Sequence, residues 1–282
     1  MAVLQNKGGA AARDQGTTMI FNPGVRVVEK KQLLPDLFHL KFEGASLASR
    51  ALPANFVQIK VSRGLDPIFR RPMSIHYAEG KTFEMVFRTV GKGTNILSQA
   101  EIDEEFDCLG PLGNSFKLPE NGELAVMVAG GVGFPPLYFF SRHLIEKQQF
   151  PKENILFLFG MKTIAEKPMA DDLLRLDIPL EISTDDGSFG FHGFVTDLFE
   201  ARFAKKLRHE KIRIYSCGPN AMMKRLSQIA ISFRLPCQLS LEGAMPCGVG
   251  TCLGCAVKMR GNNDYYRVCQ DGPVFDADEV EL

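Results

Sequence analysis

Leu124-Ala125-Val126-Met127-Val128-Ala129-Gly130-Gly131-Val132-Gly133-Phe134-Pro135-Pro136 is the stretch that decides how this chain folds. Its first six residues form a continuous apolar run, as expected of a strand buried on both faces. Glycines follow at once, and a helix-like stretch covers residues 137–147. In a strand–glycine turn–helix, the backbone can approach a pyrophosphate and the helix N-terminus supplies N–H donors. The segment does not match the G-x-G-x-x-G fingerprint, because in Gly131-x-Gly133-x-x-Pro136 a proline takes the third glycine's place. Taken alone, it also suits a tight structural turn.

Downstream the texture repeats. A second buried run covers residues 155–159, with further strands at 180–184 and 212–216 and helical patterns at 195–203 and 221–233. Strands alternating with helices predict a parallel α/β sheet. Cys217-Gly218-Pro219 closes the 212–216 strand in the manner of the first glycine turn, so both turns should line one edge of the sheet, where such folds bind dinucleotides. Without its Gly-Pro neighbours, Cys217 would read as a buried core thiol.

Upstream, residues 25–116 are short, alternating and rich in turn residues. Met73-Ser74-Ile75-His76-Tyr77 and Phe83-Glu84-Met85-Val86-Phe87 flank a hairpin loop at Ala78-Glu79-Gly80-Lys81. Many short strands at this spacing predict an antiparallel barrel or sandwich. The first twenty residues lack the continuous apolar core of a secretory signal and read as a loose tail.

The last forty or so residues carry Cys247-x4-Cys252-x2-Cys255, then thirteen residues, then Cys269. This is the spacing style of plant-type [2Fe–2S] ligation. Gly248, Gly250 and Gly254 would let backbone N–H groups turn toward the sulfurs, which a cluster of formal charge about −2 requires. A structural zinc would usually pair two C-x2-C hooks, and only Cys252 and Cys255 make one. Disulfides suit small secreted scaffolds, whereas 282 residues with 45% apolar content can build a core without them. Cys108 and Cys237 read as buried small residues.

Thirty-three basic and thirty-three acidic residues balance, so no nucleic-acid or anionic-membrane surface is indicated. No apolar run approaches the roughly 20 residues of a membrane span, and a cytoplasmic location is expected. No Ser-His-Asp set or carboxylate pair stands out, as expected where hydride transfer depends on stacking and distance. His76 reads as a barrel-core or edge histidine.

The order of motifs is the stronger signal: Arg71-Pro72-Met73-Ser74, Val86-Phe87-Arg88, Gly93-Thr94, the Gly130–Pro136 turn, Cys217-Gly218-Pro219 and the four cysteines. It resembles the electron-transfer subunit of heteromeric dihydroorotate dehydrogenase, within the ferredoxin reductase-like group. The resemblance covers nearly everything after residue 22. It implies a tail at 1–22, an FAD-binding antiparallel β-barrel at 23–118, an NAD-binding α/β domain at 119–238 and a [2Fe–2S] module at 239–282. Arg71, Pro72, Met73, Ser74, Val86, Phe87, Arg88, Gly93 and Thr94 would hold FAD. Gly130, Gly131, Gly133, Pro136, Cys217, Gly218 and Pro219 would hold NAD, with Cys217 against the nicotinamide. Cys247, Cys252, Cys255 and Cys269 would ligate the cluster.

The resemblance further implies an FMN-containing catalytic subunit that oxidises dihydroorotate in pyrimidine biosynthesis, in a heterotetramer. Met245, Pro246, Val249 and Leu253 offer an apolar face for docking it, or simply shield the cluster. Asp185 and Asp186, after the 180–184 strand, would favour NAD over NADP if they reach the ribose, while Lys162 and Arg175 would argue the reverse. Two rivals stand beside this reading. One is a related subunit of a ferredoxin–NADP reductase, sulfide dehydrogenase or hydrogenase; the other is a metal-stabilised binding module without activity.

Overall fold

A computed structural model of the chain describes residues 21–203 and 211–282. The expected N-terminal tail lies outside the described residues except for its last two positions, which begin the first strand.

Seven antiparallel strands build the first unit: β1 (Phe21–Leu34), β2 (Leu37–Glu43), β3 (Phe56–Lys60), β4 (Arg71–Ser74), β5 (Tyr77–Glu79), β6 (Thr82–Arg88) and β7 (Glu105–Leu112). They are ordered β4-β3-β7-β1-β2-β6-β5. Alternate residues of β2 and β6, among them Leu40, Phe42, Phe83 and Met85, are fully buried. That is the period-2 pattern of a sheet with one face on a core. The stretch 73–77, which reads as one strand in sequence, is broken at Ile75-His76. There the Ile75 N–H donates to the Asn55 carbonyl (3.0 Å) and the His76 N–H to the Glu84 carbonyl (2.7 Å). The chain thus passes from one edge of the sheet to the other and draws the edges together, as a barrel requires. Two short helices, α1 (Ala45–Ala48) and α2 (Lys92–Ser98), fill the connections.

The second unit is a seven-stranded sheet with helices α3 (Phe134–Glu146), α4 (Asp171–Leu174), α5 (Val195–Phe203) and α6 (Asn220–Phe233). Its strands are β8 (Leu124–Gly130), β9 (Ile155–Met161), β10 (Leu180–Thr184), β11 (Phe191–His192), β12 (Ile212–Cys217) and β13 (Cys237–Ser240), all parallel, plus an antiparallel β16 (Val274–Asp276). The order is β11-β10-β9-β8-β12-β13-β16, so strand order reverses between β8 and β12. In open α/β sheets, ligands bind at the carboxyl ends of the strands beside that reversal.

Between β13 and β16 the chain leaves the sheet. It forms an irregular cysteine-bearing loop, strands β14 (Ala256–Met259) and β15 (Tyr265–Arg267), and helix α7 (Val268–Asp271). After β16, β17 (Val280–Glu281) pairs with β14 to complete a three-stranded sheet. A division at 238 runs through β13, and we place β13 and β16 with the α/β sheet.

The barrel and the α/β unit share one apolar core. Leu40 and Met85 of the barrel belong to the same buried cluster as Phe134, Leu137 and Phe157. Each such side chain, fully buried, is worth roughly 1.5–3 kcal/mol.

Candidate functional site

The turn after β8 and the turn after β12 interlock. Cys217 pairs with Ala129 in register, so the two glycine turns emerge side by side. A Cβ on Gly133 would stand 2.3 Å from the Cys217 carbonyl oxygen, and one on Gly130 would stand 2.9 Å from Pro219 Cδ. Gly218 has φ +154° and lies against the Gly130 backbone. Any side chain here would force the turns apart.

Above them opens a cleft of about 940 Å³ lined by Gly130, Gly131, Gly133, Gly218 and Pro219, among others. Pro136 and Cys217 are buried and are absent from its wall. Burial pushes the Cys217 thiol well above the usual range, with the Glu242 carboxylate acting in the same direction. Cys217 is therefore a neutral thiol behind the cleft.

Glu242, just after β13, is exposed on the cleft wall, where the packing around its carboxyl raises the pKa. No motif surrounds it in sequence. Only the parallel pairing of β13 with β12, which sets the ends of both strands at one edge, brings it beside Cys217.

The cleft wall also includes Lys162, Glu166, Asp185 and Arg225. Arg225 is held by Glu200 at 2.8 Å. Burial, with Glu166 nearby, raises the Asp185 pKa. Asp186 turns back into its own turn, accepting from Ser188 N (3.0 Å) and Ser188 Oγ (2.6 Å). Arg175 is bound to Asp172, away from the cleft. Of the four residues that bear on coenzyme choice, Lys162 and Asp185 are the two at the cleft.

On the barrel, β4 brings Arg71, Pro72, Met73 and Ser74 onto one strand. Gly93 is packed against Arg71 so closely that a Cβ there would lie 2.2 Å from Nε. Thr94 Oγ1 accepts from Val90 N (2.9 Å) and Gly91 N (3.1 Å), which shapes the turn before α2. Val86 and Phe87 are buried on β6. The neighbouring Arg70 is tied to Asp107 at 2.7 Å. Arg88 stands apart from the Arg71–Gly93 group: its guanidinium bridges Asp36 (2.7 Å) and Glu166 (2.5 Å) and lines the α/β cleft. It joins the two units.

The cysteine segment brings its four thiols near one another. Cys247 interacts with Cys252, and Cys269 with both Cys255 and Cys247. Backbone N–H groups donate to every sulfur: Val249 to Cys247 (3.5 Å), Gly254 to Cys252 (3.4 Å), Cys269 to Cys255 (3.4 Å) and Gly250 to Cys269 (3.2 Å). Gly248 and Gly250 have φ of +70° and +79°, which L side chains rarely adopt. A Cβ on Gly250 would lie 1.7 Å from Gln270 Oε1.

Although burial opposes ionisation of Cys247, hydrogen bonds from Thr251, Val249 and Cys252 lower its thiol to about 6. Cys269 is pushed up to about 12 by burial and by its bond to Cys255. Among the described residues no three candidate ligands are already gathered for one metal ion. Four thiols at this spacing, with inward N–H donors, suit two irons better than a single zinc. Arg267, which the motif does not include, donates to the Gly250 carbonyl (3.3 Å) near these sulfurs, with its guanidinium paired to Asp271 (3.1 Å). Cys252 and Leu253 are exposed and Pro246 and Val249 half-exposed, whereas Met245 is buried, so the expected apolar docking face loses only Met245.

Comparison with known proteins agrees with this geometry. Residues 242–281 match the model of the iron–sulfur cluster binding domain of dihydroorotate dehydrogenase B. Residues 127–228 match the oxidoreductase NAD-binding domain. The electron transfer subunit of dihydroorotate dehydrogenase B (NAD(+)) from Desulforamulus reducens is 34% identical over 90% of this chain and 96% of its own length. The Geobacillus thermodenitrificans subunit of that name is 36% identical over 94% of this chain and 100% of its own. Among solved structures, an NADH-dependent reduced ferredoxin–NADP oxidoreductase superposes with a TM-score of 0.80 at 29% identity, covering 91% of this chain and 89% of that one. Among the described residues no helix is long and apolar enough to cross a membrane. With its barrel, its switch-point cleft and its four-cysteine segment, the chain belongs to the dihydroorotate dehydrogenase B electron transfer subunits, NAD-linked oxidoreductase subunits of the ferredoxin reductase-like fold.

Proposed function

We propose that this chain takes electrons from an FMN-containing catalytic subunit that oxidises dihydroorotate, and delivers them to NAD⁺. The net reaction would be dihydroorotate + NAD⁺ → orotate + NADH + H⁺, a step of pyrimidine biosynthesis, in a heterotetramer. The observation that carries this reading is that the cysteine segment is spliced between β13 and β16, beside the cleft at the β8–β12 reversal.

Bound FAD and a [2Fe–2S] cluster would supply the redox chemistry, two single-electron passages balancing one hydride. Arg71 and the Gly93–Thr94 turn would hold the FAD pyrophosphate by charge and backbone N–H groups. Pro72, Met73, Ser74, Val86 and Phe87 would line its ring. Cys247, Cys252, Cys255 and Cys269 would ligate iron, with four N–H groups offsetting the negative charge. Gly130, Gly131, Gly133, Gly218 and Pro219 would admit the NAD pyrophosphate and nicotinamide, with buried Cys217 backing that wall. Asp185 would favour a ribose hydroxyl over a 2′-phosphate.

The test is anaerobic purification with iron, sulfide and flavin assays, followed by NAD⁺ reduction coupled to dihydroorotate with the purified FMN subunit. A colourless chain that stays so after reconstitution overturns the proposal. The ferredoxin-linked neighbour supports a second reading, in which reduced ferredoxin is the donor. Activity with ferredoxin and none with the FMN subunit would select it.

A further inference from the structure

Two polar side chains of the barrel unit reach the segments that carry the cysteines. Asn114, just after β7, uses both ends of its amide: Nδ2 donates to the carbonyls of Val274 (2.9 Å) and Asp271 (3.2 Å), and Oδ1 accepts from Val274 N (2.9 Å). Gln58, in the middle of β3, reaches the other end of the segment and uses only half of its amide. Its Nε2 donates to the Met245 carbonyl at 3.0 Å, two residues before Cys247. Its Oε1 is buried without a partner, although the residue is 0% exposed.

A buried acceptor left unpaired keeps the full cost of its lost hydration. An amide kept at such a cost, where a hydrocarbon of the same shape would pack, calls for a second partner. The Cys247–Gly248 turn packs against this side chain. A Cβ on Gly248 would stand 2.5 Å from Gln58 Cγ and 2.6 Å from Nε2, and the left-handed φ of Gly248 (+70°) allows that approach. The N–H groups of Val249, Gly250 and Gly254 are already committed to sulfurs. Gln58 also pairs with Pro72 in the β3–β4 ladder, placing it one strand from the residues proposed to hold flavin.

We infer that Gln58 is a positioning residue between the flavin strand and the cysteine loop. Its amide nitrogen holds the Met245 carbonyl, and its free oxygen takes an N–H of the Cys247–Gly248 turn once the four cysteines close around iron. The pair of bonds sets the reach from β4 to Cys247 and the hydrogen bonding around that ligand. This inference rests on the electron-transfer reading above.

The experiment uses the full chain carrying FAD and cluster, kept anaerobic, as wild type, Gln58→Met and Gln58→Glu. Stopped-flow mixing with NADH follows flavin bleaching and then cluster reduction, and electron paramagnetic resonance records the reduced cluster. In Gln58→Met, flavin bleaching stays at the wild-type rate. Cluster reduction slows by about tenfold or more, the range typical of lost outer-shell partners, and the g values move. Gln58→Glu keeps an acceptor but loses the N–H that holds the Met245 carbonyl, so its cluster phase stays slow as well.

An unchanged cluster phase and unchanged g values in Gln58→Met overturn the inference while leaving the function standing. A wild-type chain that binds neither group overturns both. Should Gln58→Met not accumulate, Gln58→Asn, too short to span to Met245, is read by the same two measurements.

Discussion

The His76 imidazole lies flat on the Tyr138 ring, with centroids 4.3 Å apart and planes 9° from parallel. His76 sits between β4 and β5 and Tyr138 on α3, so this stack is a joint between the barrel and the α/β unit. The edge of Phe134 abuts the same imidazole at 5.4 Å, and Asp172 Oδ2 lies 3.3 Å from its Nε2. The joint fixes how the β4 strand faces the cleft, which is the geometry that hydride transfer depends on.

Burial lowers the His76 pKa below its ordinary value, against the opposing pull of Asp172, with His39 and Glu84 as the other charges facing it. The folded state therefore binds fewer protons than the unfolded chain. Stability from this residue is full above the unfolded pKa of about 6.5 and is lost as pH falls toward the lower folded value. Between pH 7 and 5, the unfolding free energy of the wild type should fall, by up to about 1.4 kcal/mol per pH unit from this group. In His76→Phe, which keeps the stack, the fall should be shallower, and guanidinium titrations at the two pH values measure it.

Tyr138→Ala would remove the other half of the joint and a side chain only 9% exposed. A loss of about 3–5 kcal/mol is expected, while Tyr138→Phe should stay close to wild type. Equal midpoints for Tyr138→Ala and wild type would show that the stack does not join the units.

The cysteines divide sharply. Cys252→Ala should abolish bound iron and its visible absorbance while FAD remains bound, because β4 and α2 lie elsewhere. Cys108 and Cys237 are buried, and burial pushes both thiols up. Changing either to Ala should leave iron content unaltered. Iron and flavin assays on the three purified variants test the division.

Gly133→Ala would drive a methyl to within 2.3 Å of the Cys217 carbonyl oxygen, a backbone atom that cannot swing away. Such overpacking costs about 1–3 kcal/mol, which corresponds to a weakening of NADH binding by roughly fivefold to 150-fold if the cleft absorbs it. NADH titration followed by flavin bleaching reads the change. Gly131→Ala meets no atom within 4 Å, though its φ of +53° strains the backbone, and should be milder.

Glu242 stands exposed at the cleft wall, where the packing around its carboxyl raises the pKa. The rate of flavin reduction by NADH should therefore show an ionisation above the ordinary carboxylate range, and Glu242→Gln should remove it. A pH profile that keeps the same inflection in the variant would assign it to another group.

Much of this protein was legible in the chain itself. The continuous apolar runs at β8 and β9 could only be strands covered on both faces. The glycine turn after β8 declared a backbone that something must approach, and the spacing from Cys247 to Cys269 declared a thiolate site. These are local signals, set by side-chain period, φ preference and ligand spacing over a few residues. Pairing between distant strands decided the rest. Glu242 became a cleft residue only through the β12–β13 ladder, and Arg88 became a tie between the units only because Glu166 comes from the loop after β9. Arg267 gained its place beside the sulfurs, and Gln58 its grip on Met245, from contacts whose partners the one-dimensional sequence leaves unmarked. A lone glutamine or glutamate in sequence has no period and no spacing to announce it, since its meaning lies in which buried partner the fold supplies.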